Sequence, residues 1–369
     1  MKKVMLLAAM LFLVALPGSA NAEISPWGLI QTWWSYAAFD STLISDSTSS
    51  DYESATQTGF GIKRGFIGLK WKDEALSGSI FYQATPGEDN GKAVMIDGWV
   101  GYQVNEQLGI KMGRQPGVCL QTRLESSVKL DMMERPLLSL KWDAATGRIA
   151  GRDLGANFDY KFNDQFSAGL FLHNGDKNDN VLLKSSATND VTDTGALPQI
   201  DLGFIAKPMD EFKCGATYGL PNEDRLNMGN MTAFGYYDNG EFFGKLDFAM
   251  LMYANEDNSE LEYSSMGYSF TGGYYLNDEW TLVGRFDQWD PDTDFDVDSE
   301  AADFPVGFDD HDYTYMRNLT LGATYTFNPD AKWDQRLMIN FIRKMDEVPD
   351  DVDVPDPNLF RIMWQVFLH

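Results

Sequence analysis

The sequence lacks features that often organise an exported or catalytic protein: long apolar runs, a set of paired cysteines and clustered histidines. After residue 22 it has no apolar run long enough to form a transmembrane helix. Its two cysteines, Cys119 and Cys214, cannot form a disulfide framework, so backbone pairing and packing must hold the fold. The three histidines, His173, His311 and His369, lie far apart with no nucleophile motif around them. We therefore expect no enzymatic activity, no cofactor and no metal site.

Basic residues are scarce as well. The chain has 29 Lys and Arg against 55 Asp and Glu, which gives a formal net charge of −26. Because nucleic-acid binding depends on neutralising phosphates, this charge excludes nucleic acid as a partner. The acidic run Asp290–Glu300 fails the EF-hand pattern, since Phe295 and Ala301 stand where that loop needs Gly and Glu. A solvated acidic loop is the preferred interpretation of this run, and weak, dispersed binding of divalent cations is the alternative.

Residues 1–22 have the pattern of a secretory signal peptide. Lys2 and Lys3 supply the charged start, Val4–Leu16 forms an apolar core too short to span a membrane, and Ala20-Asn21-Ala22 is a typical cleavage site. We therefore predict an exported protein whose remaining residues, 23–369, form one domain.

That domain is rich in aromatic residues and glycine. Aromatic residues make up 14% of the chain, there are 33 glycines, and the mean hydropathy is only −0.31. This combination suits transmembrane strands, in which every second residue faces lipid, although sheet-rich soluble proteins share it. The arrangement of the strands has to decide between these two classes.

Sixteen segments of alternating apolar residues follow one another, and the connections between them are alternately long and short. Short turns on one side and long loops on the other are typical of a transmembrane barrel, whereas a soluble β-sandwich has no reason to separate them. We therefore predict an all-β fold, a transmembrane antiparallel barrel of sixteen strands. The predicted strands are Trp27–Tyr36, Gly59–Trp71, Leu76–Gln83, Ala93–Val104, Leu108–Arg114, Asp153–Lys161, Phe166–His173, Gln199–Lys207, Lys213–Leu220, Met231–Tyr237, Phe242–Tyr253, Ser265–Leu276, Trp280–Asp287, Asn318–Phe327, Asp334–Arg343 and Phe360–His369.

The alternation predicts which residues face lipid and which face a water-filled lumen. Leu246, Phe248 and Met250 alternate with Lys245 and Asp247, an arrangement that suits an apolar outside and a polar inside. The alternation is irregular over residues 59–64 and 231–237. The last segment must pair with the first, because an open edge would leave backbone groups unpaired in lipid.

Several motifs resemble those of the phosphate-selective (O/P-type) porins. The resemblance is carried over roughly residues 59–220 by Phe60–Lys70, Asp97–Tyr102, Met112–Pro116, Met133–Arg135 and Arg152–Gly155, in this order and spacing. It implies a channel in the outer membrane of a Gram-negative-type bacterium, through which small hydrophilic solutes or anions diffuse passively. It also implies contact with outer-membrane lipid and lipopolysaccharide, and possible assembly as a homotrimer.

In porins of this kind the long third loop, here Gln115–Gly151, folds inward and narrows the pore. Opposite charges facing each other across water would orient polar solutes there. We predict that the pore is lined by residues of this loop and by wall residues with inward parity. These are Arg64, Lys70, Asp97, Lys111, Arg123, Lys129, Glu134, Arg135, Lys141, Arg148, Lys213, Lys245, Asp247, Arg285, Arg336 and Arg361.

This set leans basic, so we expect a weak anion preference in spite of the acidic outer loops, which salt screens from the constriction. The alternative is a structural or adhesin-type barrel with a plugged lumen. We also predict that Cys119 and Cys214 stay unpaired, because the first lies in the inward loop and the second shares a face with lipid-facing residues.

Overall fold

The computed structural model describes eleven parts of the chain, and its strands close into one antiparallel barrel. The described residues are 23–38, 56–84, 93–117, 119–148, 150–175, 198–221, 228–253, 263–291, 293, 315–346 and 358–368. The predicted signal peptide, most of the acidic run 290–300, and the histidines at 311 and 369 lie outside these residues.

Sixteen strands make up the wall, and each one pairs with its neighbours in sequence. Their bounds are β1 Glu23–Ala38, β2 Thr56–Asp73, β3 Leu76–Ala84, β4 Ala93–Gln103, β5 Leu108–Pro116, β6 Arg152–Lys161, β7 Phe166–His173, β8 Gln199–Met209, β9 Phe212–Gly219, β10 Met228–Asp238, β11 Phe242–Tyr253, β12 Tyr263–Tyr275, β13 Trp280–Asp290, β14 Met316–Thr326, β15 Gln335–Lys344 and β16 Asn358–Leu368.

The sixteen predicted strands and their antiparallel order are confirmed. The barrel closes where β1 pairs with β16 in a register that sets Gly28 opposite Leu368 and Ala38 opposite Asn358. Pairing continues past the predicted ends, since β1 begins at Glu23, opposite Lys72, whereas apolar alternation starts only at Trp27. Strand ends are set by backbone hydrogen bonds, which polar residues make as readily as apolar ones.

The two faces of the wall differ in chemistry. Leu202, Leu246 and Leu321 are about half exposed on the outside, where apolar side chains suit contact with lipid. Their neighbours Asp201 and Asp247 are 1% exposed and point into the barrel. No described helix is both long and apolar enough to cross a membrane.

A β-bulge in β2 explains the irregular alternation near residue 60, and another bulge lies in β4. The register between β1 and β2 shifts between Gln31 and Thr32, which leaves Lys63 as an extra residue in β2. The register between β3 and β4 shifts between Phe81 and Tyr82, which leaves Ile96 extra in β4. A bulge interrupts strict alternation, so Lys63 and Arg64 both point inward, as do Ile96 and Asp97.

The connection between β5 and β6 carries the only two α-helices of the described residues, α1 (Gln121–Leu124) and α2 (Leu137–Ala145), with a 3₁₀ turn at Ser127–Lys129. We refer to residues 117–151 as the β5–β6 loop.

Candidate functional site

The β5–β6 loop reaches strands on opposite sides of the barrel. Gln31 of β1 donates to Ser127 O at 3.4 Å, and Lys213 of β9 donates to Gln121 Oε1 at 3.4 Å. β1 and β9 lie half a circumference apart in a wall of sixteen strands. A single segment can reach both strands of a closed wall only from within, so the loop crosses the lumen.

One side of the loop is hydrogen-bonded to the wall through its own backbone. Arg336 donates to the carbonyl oxygens of Val128 and Leu130, and Arg285 donates to Glu134 O at 2.7 Å. These wall cations therefore satisfy loop carbonyls instead of facing water.

Wall acceptors bind the loop N–H groups in the same way. Asp247 accepts from Gln121 N at 2.7 Å, and Asp287 accepts from Leu137 N at 2.7 Å, at the start of α2. Asn340 accepts from Met133 N at 3.0 Å. The buried backbone of an irregular loop needs such partners, and inward residues of β11, β13 and β15 supply them.

The hydrogen-bonded side of the loop also packs against the wall through apolar side chains. Leu120, Leu138 and Trp142 of the loop are buried against inward residues of β11 and β13, with Leu251 and Trp289 among them. A second cluster joins Met133 to Met338, Met363 and Trp33. These inward-facing apolar residues lie where the loop covers the wall, so contact with the loop replaces contact with water.

Buried ion pairs complete the attachment. Lys245 lies 2.6 Å from Glu125 and also pairs with Asp131. Arg148 pairs with Asp201, and His173 joins Asp201 to Asp153, whose Oδ2 lies 2.6 Å from its Nδ1. Arg148 is thus buried against β6–β8, whereas the sequence suggested a charge that faces the pore water.

The other side of the loop faces a cavity. It has a volume of about 490 Å³ and lies between the loop and the inward face of β1–β4. Its charged lining is predominantly basic, with Asp143 as the acid among the described residues. The basic residues are Lys63 and Arg64 of β2, Arg123 and Arg135 of the loop, and Arg152 of β6. We call this the basic cavity.

The cations of the basic cavity are unequally neutralised. Arg123 pairs with Asp143, and Arg152 pairs with Asp97 at 2.7 Å. Lys63 and Arg361 share the single carboxylate of Glu134, at 2.6 and 2.8 Å.

Arg64 and Arg135 donate to neutral oxygens instead. Arg64 donates to Gln31 Oε1 at 2.8 Å and to Met133 O at 3.2 Å. Arg135 donates to Glu125 O at 2.9 Å and to Ser127 Oγ at 3.3 Å. The cavity therefore carries excess positive charge.

Ionisation of the loop groups reflects this field. Burial, together with Arg123, Arg64 and Arg152, lowers the pKa of Arg135 well below its usual value. Burial raises the pKa of Asp143 to about 6, although the surrounding arginines oppose this. Burial also acts to raise the pKa of Glu134, but Lys63 and Arg361 outweigh it and hold that pKa below its usual value.

The remaining predicted pore residues are spread along the wall and loop. Lys70 lies over the Trp27 ring at 5.7 Å, and Lys111 pairs with Asp159 at 3.0 Å. Lys129 is exposed, with its amine 6.0 Å from the Trp333 ring, and Lys141 is half-buried on α2. These four residues do not line the basic cavity.

Sequence reasoning missed two of the basic cavity's cations, Lys63 and Arg152. Two successive cations in a strand punctuated by glycine could have indicated the bulge, because strict alternation would send one of them into lipid. Arg152 follows Gly151, whose φ of 79° turns the chain into β6.

Cys119 and Cys214 are free thiols in the structure. No group of three His, Cys, Asp or Glu residues within the described ranges could hold a metal ion.

No family model and no curated protein matches this chain. Solved structures match its fold. The outer membrane channel DcaP of Acinetobacter baumannii aligns with a TM-score of 0.65 at 12% identity, covering 95% of this chain and 99% of that one. OmpT, an outer membrane protein of Vibrio cholerae, aligns in its trimer form with a TM-score of 0.58 at 11% identity. The alignment covers 94% of this chain and 99% of that one. OmpF of Salmonella typhi in complex with daunomycin aligns with a TM-score of 0.56 at 13% identity. The alignment covers 93% of this chain and 97% of that one.

These alignments show that the chain has the fold of outer-membrane porins. Its own geometry agrees with that environment, because the wall is closed, its outside is apolar and its inside is polar. Such a surface suits contact with lipid on the outside and with water in the lumen. The chain is therefore a closed sixteen-stranded barrel with the fold of outer-membrane porins.

Proposed function

We propose that this chain is a porin, a passive diffusion channel for small hydrophilic solutes with a weak preference for anions. The basic cavity carries this proposal, because it is the space that the β5–β6 loop leaves beside β1–β4 and its charged lining is mostly cationic. Solutes pass the loop on that side. Charges in a narrow, partly dehydrated pore are weakly screened and set the ion preference.

The motifs that resemble those of phosphate-selective porins support the same sign of selectivity. We extend the proposal to assembly as a homotrimer and to contact with lipid and lipopolysaccharide, as barrels of this fold commonly show.

Conductance of the purified protein in a planar lipid bilayer tests the channel. We expect open-channel steps and, in a KCl gradient, a reversal potential of the sign that anion preference gives. Absence of steps from folded protein would contradict the proposal and support the alternative, a structural or adhesin-type barrel whose lumen the loop plugs.

Salt dependence separates the lumen from the outer acidic loops. Cation preference that persists at 1 M salt, where the Debye length is about 3 Å, would contradict the basic lining. Cation preference that fades with salt would place selectivity in the acidic residues outside the pore.

A further inference from the structure

We infer that the basic cavity is a saturable binding site for an organic anion, a carboxylate attached to a flat apolar body. The inference rests on the proposed channel function and deepens it by naming the class of solute. It combines two features of the same cavity: buried guanidinium N–H groups without acceptors, and an apolar wall opposite them.

The polar feature is made by two arginines of the β5–β6 loop. Arg123 is 3% exposed and Arg135 is 5% exposed. Nε of Arg123 and Nη1 of Arg135 have no hydrogen-bond partner among the described residues. A buried donor without an acceptor is unfavourable, and a carboxylate is the acceptor that matches a guanidinium best.

The count of charges points to an anion in the same place. Asp143 and Asp97 neutralise Arg123 and Arg152 one to one, and the acceptors of Arg64 and Arg135 are neutral oxygens. A bound carboxylate would offset part of this excess, whereas a cation or a neutral sugar would leave it in place.

The apolar feature comes from the wall. Trp33, Phe66 and Phe81 line the cavity, and the β4 bulge adds Ile96, which is 4% exposed. Phe66 and Phe81 lie together with ring centroids 5.5 Å apart. Ligand sites of about 300–1,000 Å³ are typically apolar with a few convergent polar groups, and a cavity of about 490 Å³ fits that description. Inorganic phosphate is much smaller and would leave this wall facing water.

Benzoate, acetate and phosphate are the probes for the test, added separately to wild-type channels in a bilayer with KCl at moderate ionic strength. We expect benzoate to reduce the KCl current saturably, with an apparent affinity about tenfold higher than that of acetate. If phosphate reduced the KCl current as strongly as benzoate, the apolar wall would play no part in binding, and the cavity would be a simple oxyanion site.

Two variants separate the features. Arg135→Gln removes the buried donor and should weaken benzoate inhibition about tenfold. Phe81→Leu keeps every charge but removes part of the apolar wall, so it should weaken benzoate inhibition. Arg343→Gln is the matched control. Arg343 is exposed and lies on the opposite face of its strand from the inward-facing Arg336, so the variant should behave as wild type.

The outcomes are distinguishable. Absence of a channel from folded wild-type protein contradicts the proposed function itself. A channel that conducts KCl but that benzoate does not inhibit overturns only the inferred site. KCl conductance of each variant shows whether it has folded, and Phe81→Leu tests the site even if Arg135→Gln fails to assemble.

Discussion

The two sides of the β5–β6 loop use the same residue type in opposite ways. Towards β11–β16, Arg285 and Arg336 are buried and donate hydrogen bonds to loop carbonyl oxygens, so these two cations hold the loop backbone. Towards β1–β4, Arg64 and Arg135 border a cavity whose charged lining residues are mostly cations. The difference shows that the position of acceptors, and not the count of arginines, decides whether a cation anchors a loop or acts on a solute.

The largest effect should follow from breaking the anchored side. Arg336→Met removes the donor to Val128 O and Leu130 O. Val128 O keeps Gln365 Nε2 at 3.1 Å, whereas Leu130 O loses this donor, and a buried carbonyl left unpaired costs about 1–3 kcal/mol. We expect a loosened loop, seen as flickering single-channel currents and as a lower midpoint of thermal unfolding. Arg343→Met is the control. Steady wild-type currents in Arg336→Met would show that this contact does not hold the loop.

The next effect concerns the open side. Arg64→Gln removes a cation that has neutral acceptors, so the excess positive charge of the basic cavity falls. We expect the anion-to-cation permeability ratio to fall about twofold, which corresponds to about 0.4 kcal/mol. Reversal potentials in a KCl gradient measure it. If Lys70→Gln, a change outside the basic cavity, lowered the ratio equally, selectivity would not reside there.

A smaller, pH-dependent effect should come from Asp143. Its pKa is raised to about 6 by burial, so it is ionised at pH 7.5 and becomes neutral as the pH falls through 6. Arg123 then loses its counter-charge, and anion preference should rise between pH 7.5 and pH 5. Asp143→Asn should resemble the low-pH state at every pH. A pH dependence that survives in Asp143→Asn would assign it to another group.

The smallest effect concerns the reactivity of a thiol that is buried on the anchored side of the loop. Cys119 is fully buried on the anchored side, and burial raises the pKa of its thiol to about 12. A Cys214→Ser variant should therefore resist maleimide labelling when folded and react after denaturation. Adding Arg336→Met should expose Cys119 to the reagent. Rapid labelling of folded Cys214→Ser would mean that the loop does not pack as described.

The fold could be predicted from the sequence because a strand has a period of two residues and its connections can be counted. Leu246 and Asp247 reveal their faces by alternation, and lipid outside with water inside makes that alternation strict. The last strand, with Phe360, Ile362 and Trp364 on one face, shows the same rule.

The site could be predicted only in part. The β5–β6 loop has no repeating period, so its sequence gave the position of Arg123, Arg135 and Arg148 in the chain but not the direction of any side chain. Burial of Arg148 against Asp201 depends on a contact between residues 53 positions apart. The bulge at Lys63 reverses parity at one residue, which alternation cannot represent.

The anchors of the β5–β6 loop also set an order in time. Its partners Arg285, Arg336 and Gln365 are synthesised more than a hundred residues after the segment that they hold. Contacts so distant in sequence form slowly, because a long chain must close before they are gained. During assembly the loop thus remains without these three partners until the last strands have joined the sheet. The narrow part of the lumen is then the last to mature, and a barrel halted at that stage would be wide and unselective.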